Sequence, residues 1–119
     1  MKIIDNHNQL LFFDTVAPQN TYRCTIKSVL PGSLRVYFEL GRKGRVFRAY
    51  SAVYAGRGSY RDESDFLRSV AARSYTAAGA IEKLRAKADH RFNNVINECL
   101  GKAIQTLRDD MARAISIRQ

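Results

Sequence analysis

Residues 34–40, Leu-Arg-Val-Tyr-Phe-Glu-Leu, alternate without a break. Leu34, Val36, Phe38 and Leu40 fall on one side, and Arg35, Tyr37 and Glu39 on the other. A period of two marks a strand with one face buried. Residues 22–29 alternate in the same way, and residues 45–54 read as a third strand. Pro31-Gly32 predicts the first turn, because proline sets one φ and glycine supplies a positive one. Gly41-Arg42-Lys43-Gly44 predicts a glycine-flanked hairpin tip. The apolar run 9–13 predicts a further strand or an arm packed on the core, and residues 15–20, with Pro18, predict a loop.

Register is the pairing that keeps apolar residues on one face. For the first hairpin it sets Ile26 opposite Val36 and Cys24 opposite Phe38, with a three-residue loop and a bulge at Gly32. For the second it sets Leu40 opposite Arg45, Phe38 opposite Phe47 and Val36 opposite Ala49. The inner face then holds Cys24, Ile26, Leu34, Val36, Phe38, Leu40, Phe47 and Ala49. The outer face holds Arg23, Thr25, Lys27, Arg35, Tyr37, Glu39, Arg48, Tyr50 and Tyr54.

The second half changes period. Acidic residues in 60–65 suit a helix start, with Asp62 or Ser64 as N-cap and Phe66, Leu67, Val70 and Ala71 as a short apolar face. Thr76 is a second candidate cap, or one helix runs straight through; no proline follows Pro31 to force a break. From Ile81 to Ile115 apolar residues recur at three- and four-residue steps, the stripe of an amphipathic helix. The fold expected is α+β: an antiparallel sheet of three to four strands in the N-terminal half, packed on one or two C-terminal helices. One domain of 119 residues is expected, strand-rich and basic over 1–58 and helical over 60–118.

Charge sharpens this outline. The chain has 20 Lys and Arg against 11 Asp and Glu, a net charge of +9. Residues 1–60 carry 9 basic and 3 acidic side chains, and residues 61–119 carry 11 and 8, so most of the excess lies in the strands. Such a field gathers polyanions. Cys24 and Cys99 are too few for a disulfide framework, which suggests a reducing, cytoplasmic setting. With His7 and His90 they stand at no metal-ligand spacing, so no metal or cofactor is expected. No run approaches ~18 apolar residues, so no membrane span is expected.

Candidate chemistry lies on the strands. Arg42, Lys43 and Arg45 form a basic tip whose glycines admit a phosphate. Arg23, Lys27, Arg35, Tyr37, Arg48 and Tyr50 interleave cations with rings, as surfaces that bind single-stranded nucleic acid do. Arg57, between Gly56 and Gly58 before the predicted helix, is a weaker anion contact. Nucleophile elbows and zinc-helix patterns are absent, and Asp109-Asp110 suit a solvated helix face, so catalysis is not expected. No stretch carries a helix-turn-helix, zinc-finger or RNA-recognition fingerprint.

These features predict a small accessory protein that binds DNA or RNA by its phosphates, with tyrosines stacking on bases. The alternative is an inhibitor or adaptor, such as mobile elements use against host defences, docking its basic face on an acidic protein surface. A third expectation is a homodimer joined through the C-terminal helix.

Overall fold

The computed structural model describes residues 21–27, 34–54 and 66–118. Four strands form one antiparallel sheet in chain order: β1 (Tyr22–Lys27), β2 (Arg35–Lys43), β3 (Val46–Tyr54) and β4 (Phe66–Ser74). Two helices follow, α1 (Ala77–Arg91) and α2 (Asn94–Arg118). The architecture is α+β, as the change of period implies. The expected segments 9–13 and 15–20, the Pro31-Gly32 turn, Arg57 and the caps Asp62 and Ser64 lie outside the described residues.

The first hairpin has the expected pairing, with Ile26 opposite Val36 and Cys24 opposite Phe38. The second does not. Leu40 pairs with Ala49, not Arg45, and Phe38 pairs with Ser51, not Phe47. Arg42 and Lys43 continue the strand, so the turn shrinks to Gly44-Arg45. Gly44 alone among the described residues has a positive φ, at 61°, as a tight hairpin turn requires. The shift is an even number of residues, so every side chain keeps its expected face.

The larger correction is β4. Residues 66–74 form a strand, not the start of a helix. Leu67, Val70 and Ala71 fit a helical face, but Val70 and Ala72 also alternate. Pairing with β3 decides the matter: Ala72 stands opposite Ala49 and Val70 opposite Ser51. Strand preference is set by cross-strand neighbours more than by intrinsic propensity.

Thr76 caps α1 by accepting a hydrogen bond from the Gly79 N–H at 3.0 Å. The helical stripe is interrupted at Phe92-Asn93, giving two helices. The Asn93 side chain accepts from Ile96 N–H at 2.9 Å, and the Asn97 amide donates to the carbonyls of Ala88 and Phe92. These bonds satisfy backbone groups that a helix end leaves open.

Helix α1 lies over β3 and β4, and α2 over β1 and β2. Val36, Phe38, Leu40 and Val53 meet Ile81, Leu84, Leu100, Ile104 and Leu107 in one core, each essentially without solvent contact. Ser51 is fully buried on this face although polar; its hydroxyl donates to the Tyr37 carbonyl at 2.8 Å. Lys87 and Lys83 of α1 donate to the Ala71 and Arg73 carbonyls of β4. Lysines along a strand edge discourage pairing with a further chain. No helix among the described residues is long and apolar enough to cross a membrane.

Candidate functional site

With both helices on one side, the opposite face of the sheet is where the strand cations collect. Alternation sends Arg23 and Lys27 of β1, Arg35 and Lys43 of β2, Arg48 of β3 and Arg73 of β4 to this outer face. Glu39 is the one carboxylate among the described residues there. Arg73 was not legible as part of this face, because residues 66–74 read as a helix.

Glu39 organises the middle of the face. The Tyr37 hydroxyl donates to Oε1 at 2.7 Å, and Arg23 Nε lies 3.3 Å from the same atom. Arg48 Nη1 stands 3.8 Å from Oε2, a looser ion pair. The Arg48 guanidinium lies 4.8 Å above the Tyr50 ring, and Tyr50 meets Tyr37 edge-on with centroids 6.1 Å apart. Burial, and then the Glu39 bond, push the Tyr37 hydroxyl up to about 12. Burial also raises Tyr54, with nearby Tyr50 adding to it. Tyr37 thus braces Glu39, and Tyr50 braces Arg48.

The face is not uniformly exposed. Arg35, expected among the accessible cations, is buried to 6% exposure at the end away from the turn. It lines a hollow of about 240 Å³ with Thr25, Tyr37 and Tyr54. Ala52, flanked by Tyr50 and Tyr54 and opposite Tyr37, is fully buried. Lys27 is exposed at the same end.

The end near the turn is open. A trough of about 650 Å³ runs there among Thr21, Glu39, Gly41, Lys43, Arg48 and Arg73. Gly41 forms its bed: a Cβ at this position would come within 3.1 Å of the Thr21 hydroxyl. Gly41, Arg48 and Arg73 form one cross-strand row, so the two arginines stand directly opposite each other. No carboxylate among the described residues pairs with Arg73.

The basic tip separates into parts. Arg42 also lines the trough, but by register it is not on the face of the other cations. It shares the side of Leu40, its guanidinium lies 5.1 Å from the Phe47 ring centre, and its Nε donates to the Gly44 carbonyl at 2.8 Å. It braces the turn. Lys43 and Arg45 remain exposed.

Cys24 and Cys99 are free thiols, and burial pushes the Cys99 thiol up, away from a reactive thiolate. Among the described residues, no three His, Cys, Asp or Glu side chains cluster as metal ligands do. No family model matches the sequence, and no curated protein and no solved structure is significantly similar to it.

Proposed function

We propose that the protein binds nucleic acid through the outer sheet face, with phosphates entering the trough between Lys43, Arg48 and Arg73. The observation that carries this reading is the Arg48–Arg73 pair. Like charges directly opposite on neighbouring strands repel. Glu39 offsets Arg48 only at 3.8 Å, and Arg73 has no carboxylate partner among the described residues. A phosphate between the two guanidiniums turns that repulsion into two charge-assisted contacts, for which arginine's planar fork is suited. The net charge of +9 supplies long-range attraction in the same direction.

Titration of labelled DNA and RNA at two salt concentrations tests the reading. Binding at low salt that falls steeply as salt rises supports it. A polyglutamate competitor tests the competing partner, an acidic protein surface. Tight polyglutamate binding with no nucleic-acid binding contradicts the proposal and favours that partner.

A further inference from the structure

The geometry points to a duplex, held by its phosphate backbone without base stacking, as the form of nucleic acid this face takes. The inference rests on the reading above and narrows it. Proteins that prefer single strands gain much of their affinity from aromatic rings that bases can cover. Tyr37 and Tyr50, at the middle of this face, are already engaged. Arg48 covers Tyr50 at 4.8 Å, and Tyr37 meets the Tyr50 ring edge-on while giving its hydroxyl to Glu39 at 2.7 Å. Tyr54 lines the small hollow beside the buried Arg35. Tyr75, a ring exposed to 77%, lies past the end of β4 in the bend before α1.

What the face does offer is charge spread in two dimensions. Arg23 lies on β1, Arg48 on β3 and Arg73 on β4, with Lys43 and Arg45 beside the turn. From β1 to β4 is three strand spacings, about 14 Å. That width resembles the ~12 Å major groove that separates two phosphate tracks. A single strand reaches both edges only by ordering its flexible chain across all four strands, whereas a duplex presents two tracks already set apart. A duplex also carries a charge every ~1.7 Å along its axis, and each contact releases more counterion than on a single strand, about 0.9 against about 0.7. For roughly five contacts, and equal affinity near ~1 M salt, that difference favours the duplex about 20-fold at ~50 mM.

Fluorescence anisotropy with four probes of equal length tests this: a DNA duplex, an unrelated DNA duplex, one separated strand, and the same strand made abasic. The expected result at ~50 mM salt is that both duplexes bind within about threefold of each other and about 20-fold tighter than the strand. The abasic chain binds within about twofold of the strand, and Tyr75→Ala leaves all four affinities unchanged. A normal strand that binds as tightly as the duplex, and 10-fold or more tighter than its abasic form, overturns the inference while leaving nucleic-acid binding standing. Absence of binding to all four probes overturns the underlying reading as well.

Discussion

The two faces of this sheet use the same four strands and nearly opposite chemistry. On the inner face, Val36, Phe38, Leu40, Phe47 and Ala49 are closed off by two helices. On the outer face, Arg23, Tyr37, Arg48 and Tyr50 are arranged around a single carboxylate, Glu39. Apolar contacts hold the chain together by close packing, without needing a specific polar partner for each side chain. Charged side chains hold position only when specific partners fix them. The Glu39 cluster provides partners for Arg23 and Arg48, whereas Arg73 has none among the described carboxylates. The inner face should therefore dominate stability, and the outer face should dominate binding.

Substitutions that separate these roles sharpen the contrast. Phe38→Ala empties the centre of the inner face, where the ring has no solvent exposure. It should cost about 3–5 kcal/mol in urea unfolding. A loss under about 1 kcal/mol would mean that this core is not the main source of stability. Gly44→Ala tests the corrected turn, because its φ of 61° is left-handed. A cost of about 1–2 kcal/mol is expected by the same measurement. A neutral result would argue for the longer Gly41–Gly44 tip.

Glu39→Ala probes the outer face, and about 1 kcal/mol is expected from the Tyr37 bond; the ion pair with the exposed Arg23 adds little. Its pH signature is more specific. Tyr37 titrates at about 12 in the folded chain, above the ordinary tyrosine value near 10.0. Its contribution to stability is complete below pH 10 and is lost as pH rises through about 12. Glu39→Ala should bring the tyrosine partway down, since burial is the larger cause and remains. Denaturation at several alkaline pH values should then show a smaller loss in the variant than in the wild type. Equal losses would mean that Glu39 does not hold Tyr37. The smallest effect on stability belongs to Arg73→Ala, within about 0.5 kcal/mol.

Much of this contrast was legible in the chain. The alternation in 34–40 assigned both faces correctly, and Ile26–Val36 and Cys24–Phe38 set the first register. Of the two readings open around Thr76, the cap of a new helix is the one the structure has. The second register was missed because Gly41 and Gly44 together resemble a loop, whereas only Gly44 needs glycine's backbone freedom. Gly41 instead keeps the bed of the trough clear beside Thr21. β4 was missed because Leu67, Val70 and Ala71 fit a helical spacing, and only its partner strand reveals otherwise. That miss hid Arg73. Arg42 was misplaced for a related reason: its position past Leu40 looks like a tip until β2 is seen to continue. The burial of Arg35 depends on surroundings that alternation does not report.

The central claim is that the outer face, at the Arg48–Arg73 row, is where the protein meets phosphate. The most direct measurement is the salt dependence of duplex binding for the wild type and for Arg48→Ala/Arg73→Ala, with urea unfolding as a check that both are folded. Loss of two phosphate contacts should lower the slope of log affinity against log salt by about 2, together with a marked loss of affinity at low salt. An unchanged slope and affinity in a folded double variant would contradict the account.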